Sequence, residues 1–209
     1  MNSVINKQLV SQDLRQQLRK AYRAKRQALS EEKQQIASKQ LLDLCQAKAL
    51  LDEHDRVAFY LANDGELNPS ELILYAWQEK KLVYLPVLHP FNKNTLVFVE
   101  YTPKSEMRPN RFDIMEPVLE CHLICPVEEL DVIFTPLVAF DKHGNRMGMG
   151  GGFYDRTLAP ITKLPPLHQP QIIGLAHDCQ ECPAIPIANW DIPLQNILTP
   201  TRLLDCDHE

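Results

Sequence analysis

The sequence predicts an α/β fold with a single open, largely parallel sheet and flanking helices. Short apolar runs of strand length alternate with amphipathic segments of helix length, which is the pattern of α/β folds. A length of 209 residues suits one domain, and a hydrophobic content of 44% suffices for a sizeable core. We therefore expect residues 1–209 to form one domain, on which a basic N-terminal helix within residues 1–30 packs.

The N-terminal segments predict two helices. Residues 11–29 read as an amphipathic helix. Its apolar stripe consists of Leu14, Leu18, Ala21 and Ala28. A second stripe is basic and consists of Arg15, Arg19, Arg23 and Arg26. Like charges on one helix face repel, so this stripe is either a solvated face, which spacing alone slightly favours, or a face whose end contacts a phosphate. Ser30 caps a second helix over residues 31–51, whose predicted buried side chains are Ile36, Leu41, Leu44 and Leu51.

The middle of the chain predicts the first strands of the sheet. Residues 56–61 form a nearly continuous apolar run, typical of an interior strand. After a turn at 62–66, Asn68 caps a third helix, with Pro69 in its first position. Residues 82–88 read as a second strand, and residues 95–101 as a half-exposed antiparallel strand. Glu66 ends the first strand–turn unit, so it is either a surface carboxylate or a ligand contact.

The second half of the chain predicts the remaining elements. Residues 102–129 read as an irregular connection, which is usually functional when it is this long. We expect a strand at 130–140, a glycine loop and then a helix at 153–159. A proline-rich turn at 164–170 and strands at 171–176 and 196–199 complete the chain.

The glycine loop is the strongest functional signal. The chain has seven glycines, and five of them fall between Gly144 and Gly152, where backbone can take positive φ and approach a ligand closely. Arg146, Asp155 and Arg156 accompany the run. A strand, a glycine loop and a helix in this order form phosphate sites in α/β sheets, although an ordinary hairpin turn is the alternative. We predict a site for phosphate and a metal ion.

Composition and cysteine spacing limit the other classes of function. The net charge of −5 and an isoelectric point near 5.8 disfavour nucleic-acid and membrane-surface partners. The chain has no apolar run of transmembrane length and no visible signal peptide; we expect a cytoplasmic monomer. Cys121 and Cys125, with Cys179 and Cys182, could bind zinc, but reduced thiols are the favoured interpretation.

The loop and its flanks resemble a known family, the 5-formyltetrahydrofolate cyclo-ligases. The central signature is Phe140-Asp141-x-x-Gly144-x-Arg146-x-Gly148-x-Gly150-x-Gly152-Phe153-Tyr154-Asp155-Arg156. Matches in the same order are Arg15-x-x-x-Arg19, Ile114-x-Glu116-Pro117 and Gly174-Leu175-Ala176. The resemblance implies the NagB/RpiA/CoA-transferase-like architecture of the family. Asp113 stands where the family pattern usually has glycine, and Trp190 where it commonly has histidine.

The resemblance also implies a reaction. 5-Formyltetrahydrofolate would become 5,10-methenyltetrahydrofolate, with ATP as co-substrate, Mg²⁺ as cofactor, and ADP and phosphate as the other products. The formyl oxygen would first take the γ-phosphoryl group, and N10 of the folate would then displace phosphate. Another ATP-dependent kinase or ligase on a similar fold, or a binding module without catalysis, is the alternative.

The family pattern assigns roles to individual residues. The implied catalytic residues are Arg146 and Tyr154, and the implied Mg²⁺ ligands are Asp155 and Asp191. The implied ATP-binding residues are Arg15, Arg19, Arg146, Met147, Gly148, Met149, Gly150, Gly151, Gly152, Phe153 and Tyr154. The implied substrate-binding residues are Leu61, Glu66, Met149, Gly150, Gly151, Gly152 and Phe153.

Overall fold

The fold is built on an eight-stranded sheet with helices against both faces, in a computed structural model that describes residues 2–188 and 191–206. The helices are α1 (Asn2–Gln27), α2 (Glu31–Ala47), α3 (Ser70–Gln78) and α4 (Phe153–Leu158). The strands are β1 (Arg56–Ala58), β2 (Leu82–Leu88), β3 (Leu96–Glu100), β4 (Met107–Pro109), β5 (Met115–Pro117), β6 (Ile124–Cys125), β7 (Val132–Pro136), β8 (Ala139–Phe140), β9 (Arg146–Met147), β10 (Gln171–Leu175), β11 (Asn196–Leu198) and β12 (Leu203–Asp205).

The strand order of the main sheet is β12-β11-β10-β7-β1-β2-β3-β6. The five central strands, from β11 to β2, pair in parallel. The strands β12, β3 and β6 add antiparallel pairs at the two edges. This arrangement confirms the predicted open, largely parallel sheet, and it confirms the antiparallel strand expected after β2.

Side chains along the central strands point alternately to the two faces of the sheet, and this produces two cores. Val57 and Phe59 belong to the core beneath α2 and α3, whereas Ala58 between them belongs to the core beside α4. Phe59 stacks on Phe134 of β7 with ring centroids 5.0 Å apart. Ile133, the neighbour of Phe134, faces the α4 side. Side chains that alternate in this way bury both faces of the sheet, as a parallel sheet requires.

Several predicted boundaries are wrong. The strand expected over 130–140 breaks after Pro136, which has no N–H for the sheet ladder, and the carbonyl of Leu137 bonds to side chains instead. The chain then enters a separate two-stranded hairpin of β8 and β9. Residues 102–129 contain the hairpin of β4 and β5, so they are not irregular throughout. The prediction also missed β12 and placed Ile36 inside, whereas that side chain is exposed.

The buried face of α1 differs from the predicted apolar stripe. Leu14, Ala21 and Ala28 are exposed, while Tyr22 and Arg26 are buried and Leu18 packs beside Tyr22. Leu18, Tyr22 and Arg26 follow an i, i+4, i+8 spacing, so they form one line along the helix. The predicted apolar stripe contained Leu18 but neither Tyr22 nor Arg26, and an arginine is rarely buried. None of the described helices has the length and apolarity that crossing a membrane requires.

Arg26 is fully buried and joins α1 to the loops after β1 and β7. Its Nε donates to the carbonyl of Asp64 at 2.9 Å, and its Nη1 donates to the carbonyl of Leu137 at 2.9 Å. Its Nη2 donates to the Asp64 carboxylate at 2.9 Å and lies 3.7 Å from Sδ of Met149. Arg23 also bonds to that carboxylate. These bonds hold the end of α1 against the sheet.

Replacing Arg26 by Met keeps a long side chain and removes these hydrogen bonds. We expect the free energy of unfolding to fall by about 3–5 kcal/mol, because buried acceptors lose a charged partner. Urea denaturation measures the change. Arg23→Met is the matched control, since Arg23 pairs with the same carboxylate from a side chain that is 47% exposed. We expect that control to cost less than about 1 kcal/mol; equal losses in the two variants would contradict the proposed role of Arg26.

Candidate functional site

The glycine loop is shaped by the buried carboxylate of Asp141. Its Oδ1 accepts hydrogen bonds from the backbone N–H groups of His143 and Asn145, and both oxygens accept from the Asn145 amide. Its Oδ2 also accepts from the backbone N–H of Ile185. The carboxylate thus closes the turn between β8 and β9 and ties it to the C-terminal segment. Asp141 is therefore a structural residue of the signature.

Two glycines in the loop are required by its backbone. Gly144 has φ +75°, and a Cβ there would lie 2.0 Å from the carbonyl oxygen of Leu194. Gly152 has φ +65° and directly precedes α4. Its added Cβ would lie 2.7 Å from Nη1 of Arg156. Larger residues would strain both positions, so part of the glycine pattern serves packing.

One cleft brings most of the predicted charged residues together. It has a volume of about 1080 Å³ and lies between α1 and the segment that contains the glycine loop and α4. The predicted site residues that line it are Arg15, Arg19, Gly150, Gly152, Asp155 and Asp191. The glycine loop follows β7 and β8, so the cleft lies on the carboxyl side of the parallel strands, where α/β sheets bind ligands.

The charges around the cleft form pairs. Arg15 donates two hydrogen bonds to the Asp191 carboxylate, at 2.5 and 3.0 Å. Arg146 is buried and donates from Nη2 to Oδ1 of Asp155 at 2.8 Å. Arg19 uses its Nε for the carbonyl of Gly148 at 2.9 Å. Burial and the neighbouring Arg15 lower the pKa of Arg19, but an arginine keeps its charge at neutral pH.

The carboxylates of this cleft fit a magnesium ion that is bound together with a phosphate. Mg²⁺ is usually held by one or two carboxylates, with phosphate oxygens and water completing its octahedron. Asp155 uses Oδ1 for Arg146, and 27% of its side chain is exposed. Both oxygens of Asp191 accept from Arg15. Within the described ranges no cluster of three or more His, Cys, Asp or Glu side chains exists, so protein ligands alone would not complete a site.

Glu66 and Tyr154 form a largely buried polar group next to the glycine loop: 13% of the Glu66 side chain is exposed, and the Tyr154 hydroxyl is buried. Oε2 of Glu66 accepts from the backbone N–H of Asn63 at 3.1 Å, and Oε1 lies 3.6 Å from Nη2 of Arg26. Burial raises the pKa of Glu66 to about 7, against the opposing effect of Arg26. Burial and the nearby Glu66 also raise the pKa of Tyr154. Its buried hydroxyl has no hydrogen-bond partner among the described residues.

The remaining predicted residues divide between the loop surface and the core. Met149 is exposed, and Leu61 is half-buried beside the core under α2. A Cβ on Gly151 would lie 2.7 Å from the ring of Phe153. Met147 is fully buried in the cluster that contains Tyr22, so its side chain does not line the cleft.

Some residues of this region were not predicted as site residues. Asp13 and Lys163 also line the cleft, but isolated surface charges carry no sequence signal. Arg156 lines it too; the sequence singled it out as a basic residue beside the glycine run but gave it no role in the site. Arg26 and Asp64 position the loop. The regular spacing of Leu18, Tyr22 and Arg26 is the sequence feature that could have indicated that Arg26 is buried. Trp190 lies outside the described residues. Cys125 and Cys182 belong to different buried clusters, which separates the two cysteine pairs.

A second cavity, of about 340 Å³, lies beside Leu51, Tyr75 and Lys81. These residues belong to α3 or to the segments that precede β1 and β2. The cavity therefore lies toward the amino ends of the strands, away from the glycine loop.

The fold and the cleft define an α/β enzyme with a ligand site at the carboxyl ends of a parallel sheet. The sequence model of the 5-formyltetrahydrofolate cyclo-ligase family matches residues 11–200. The chain belongs to this family, which confirms the resemblance found in the sequence.

Relatives and a solved structure agree with this assignment. The 5-formyltetrahydrofolate cyclo-ligase of Escherichia coli K12 is 44% identical over 181 residues, which cover 87% of this chain and 97% of that protein. The cyclo-ligase of Haemophilus influenzae is 43% identical over 188 residues, with 90% and 96% covered. The NMR structure of the Aquifex aeolicus 5,10-methenyltetrahydrofolate synthetase aligns with a TM-score of 0.77 at 27% identity and covers 94% of each chain.

Alanine substitution distinguishes a loop glycine that the backbone requires from a loop glycine that has open space around it. Gly144→Ala places a methyl group against the Leu194 carbonyl at a positive φ, so we expect it to destabilise the fold by about 2 kcal/mol or more. A Cβ at Gly148 meets nothing within 4 Å, so Gly148→Ala should change stability by less than about 1 kcal/mol. Urea denaturation compares the two variants. A larger loss for Gly148→Ala than for Gly144→Ala would contradict this assignment.

Proposed function

We propose that this protein catalyses the ATP- and Mg²⁺-dependent cyclisation of 5-formyltetrahydrofolate to 5,10-methenyltetrahydrofolate, with release of ADP and phosphate. The observation that carries the proposal is the shared cleft, which places Arg15, Arg19, the glycine loop and Asp155 around one cavity in a chain of the cyclo-ligase family. A cavity of about 1080 Å³ has the size of a small-molecule site.

The α1 side of the cleft is suited to the triphosphate of ATP. Arg15 and Arg19 lie one helical turn apart, so both guanidinium groups can point to the same anion. Arg15 is already paired with Asp191, and a phosphate would compete for its donors. On the opposite wall, Gly150 and Gly152 line the same cleft, and their backbone N–H groups would donate to phosphate oxygens.

Asp155 is the residue best placed to hold Mg²⁺, and Asp191 would complete the site through water. When bound, Mg²⁺ neutralises charge on the transferring phosphoryl group. Arg146 keeps Asp155 in position through its 2.8 Å hydrogen bond. Arg15 holds Asp191 in the same way from α1. The two carboxylates therefore approach the nucleotide from different elements, and both are oriented by arginine.

The buried group behind the loop is suited to the folate. The ionised Glu66 carboxylate can accept hydrogen bonds from the N–H edge of the pterin. Tyr154, whose hydroxyl is buried and unpartnered among the described residues, can donate to the formyl oxygen. The raised pKa of Tyr154 keeps that proton on the hydroxyl at neutral pH. Leu61, Met149 and Phe153 would supply apolar surface for the folate.

The reaction then depends mainly on alignment and charge neutralisation. The formyl oxygen attacks the γ-phosphorus and the bond to ADP breaks. N10 of the folate attacks the activated formyl carbon, the N10 proton leaves, and the C–O bond breaks to release phosphate. Arg146 and the cationic side chains of α1 stabilise the negative charge of the phosphoryl oxygens. Tyr154 holds the formyl group during both steps.

The test is a direct assay. Purified protein is mixed with 5-formyltetrahydrofolate and MgATP, and formation of the methenyl product is followed by its absorbance. We expect product only when ATP and Mg²⁺ are both present. Turnover of ATP without a methenyl product would favour a different ATP-dependent enzyme and overturn the proposal. The expected cytoplasmic location and monomeric state stay predictions.

Replacing Asp155 by Asn tests the metal assignment. We expect kcat to fall by about a hundredfold or more, because a neutral amide holds a hard dication poorly, and we expect the Mg²⁺ concentration for half-maximal rate to rise. Steady-state kinetics over a Mg²⁺ titration measure both effects. Asp13→Asn is the control, since Asp13 lines the same cleft from α1. If Asp13→Asn gives the same Mg²⁺ dependence as Asp155→Asn, general charge in the cleft explains the effect and Asp155 is no ligand.

The raised pKa of Glu66 predicts a pH dependence of folate binding. Burial places this pKa at about 7, and the protonated carboxyl loses an acceptor and gains a donor. We expect the KM for the folate to fall as pH rises through about 7. In Glu66→Gln we expect a KM that is high and flat over the same range. A wild-type KM that does not change with pH would contradict the assignment.

Stability provides an independent check on the same pKa. Because the folded-state pKa of Glu66 lies above its ordinary value of 4.5, its stability contribution is complete below pH 4.5 and is lost as pH rises through about 7. The free energy of unfolding of Glu66→Gln minus that of the wild type should therefore rise, by up to roughly 3 kcal/mol, as pH increases from 4.5 to about 7. Urea denaturation at several pH values measures it, and a constant difference would refute the raised pKa.

A further inference from the structure

The hairpin of β4 and β5 carries a cation whose position is fixed by a chain of hydrogen bonds. The buried Oε2 of Glu116 accepts from the backbone N–H of Leu88, at the end of β2, at 3.2 Å. It also accepts from Nδ2 of Asn110 at 3.1 Å. Oδ1 of Asn110 in turn accepts from the backbone N–H of Phe112 at 2.9 Å. The tip of the hairpin, which includes Arg111, is therefore anchored to the sheet.

Two aromatic rings hold the Arg111 side chain. Its guanidinium carbon lies 5.0 Å from the ring centroid of Phe112 and 6.0 Å from that of Phe153. The two rings are perpendicular, with centroids 5.9 Å apart. Phe153 directly follows the glycine loop, so Arg111 lies at the side of the site that the folate would occupy. Cation–π contact uses the face of the guanidinium and leaves its edge free to donate hydrogen bonds.

In the part of the chain that the structure describes, Arg111 lacks the acidic partner that several arginines of the site have, as do Arg19 and Arg156, which bond to backbone carbonyls. Arg15, Arg26 and Arg146 each pair with a carboxylate. No carboxylate of the described residues lies within 4 Å of the Arg111 guanidinium, although Asp113 is two residues away. Its side chain is exposed. An oriented guanidinium without an acidic partner is a receptor for an external carboxylate.

We propose that Arg111 is a specificity residue that binds a carboxylate of the glutamate moiety of the folate. This inference rests on the proposed function, because it needs the pterin to lie beside Phe153 and Glu66. A folate is long, with the pterin at one end and the glutamate carboxylates at the other. With the pterin in the buried group, the glutamate extends outward past Phe153 and reaches the hairpin. The planar fork of arginine matches a carboxylate with two parallel hydrogen bonds.

The experiment compares two substrates in two variants. The substrates are 5-formyltetrahydrofolate and 5-formyltetrahydropteroate, which lacks the glutamate. In Arg111→Gln we expect the KM for the folate to rise about tenfold, as for the loss of one charge-assisted contact, with kcat and the KM for ATP unchanged. The KM for the pteroate should be the same in the wild type and in Arg111→Gln. Circular dichroism confirms that the variant is folded.

Arg108→Gln is the matched control, because Arg108 lies exposed on β4 of the same hairpin. We expect it to leave the KM for both substrates within about twofold. If Arg111→Gln raises the KM for the pteroate as much as for the folate, the residue acts on the pterin or on packing and the inference fails. The inference also fails if Arg108→Gln has an equal effect, or if the KM for ATP rises instead. Absence of product with wild-type protein would overturn the proposed function itself, and this inference with it.

Discussion

The structure of the site depends on the burial of the Arg26 guanidinium. Removing an arginine from water is unfavourable unless its donors are satisfied, and here Asp64 and the Leu137 carbonyl satisfy them from the two loops that follow β1 and β7. Hydrogen bonds, chiefly from Arg23, lower the pKa of Asp64 to about 2, so the carboxylate stays charged at neutral pH. Asp64 has φ +55° and Gly65 has φ +74°. The turn that they form presents both the carbonyl and the carboxylate of Asp64 to Arg26. Because α1 is rigid, fixing Arg26 also fixes Arg15 and Arg19, two to three turns away, against the cleft.

The four arginines of α1 show how repulsion along a helix face is relieved. Arg15 pairs with Asp191, and Arg23 and Arg26 share Asp64. Arg19 bonds to the carbonyl of Gly148, which offers only a partial negative charge. The stripe is thus neither a plain solvated face nor a free anion site. In the proposed function, a phosphate that enters the cleft would meet one arginine with a neutral partner and one that is paired with a carboxylate, so the nucleotide would compete with existing contacts.

The sequence predicts well the features that follow from periodic patterns of apolar residues. It predicts poorly the features that depend on an unusual residue, such as a buried arginine. The parallel strands and the helix after the glycine loop follow from apolar runs and glycine clustering, and β2 begins and ends at the predicted residues. The buried face of α1 could not be predicted from hydrophobicity, because Arg26 is one of its buried residues. The break after Pro136 arises because tertiary hydrogen bonds to Leu137 replace the sheet ladder. Six residues of the predicted site line one cleft, but the placement of Met147 in the core and the pairing of Arg15 with Asp191 arise only from folding.

The two halves of the site differ in their electrostatics, and the proposed reaction requires that difference. The cleft side consists of ion pairs, Arg15 with Asp191 and Arg146 with Asp155, which in the proposed reaction would exchange partners with a polyphosphate and its metal ion. The side behind the loop is desolvated, which raises the pKa of both Glu66 and Tyr154 and favours neutral hydrogen-bonding groups over charges. A formyl oxygen is a weak nucleophile, and nearby cations would weaken it further because they withdraw electron density from it. In the proposed reaction, arginine and metal charge on the cleft side would stabilise the transferring phosphoryl group and the departing ADP, while a neutral phenol on the formyl side would leave the attacking oxygen its electron density.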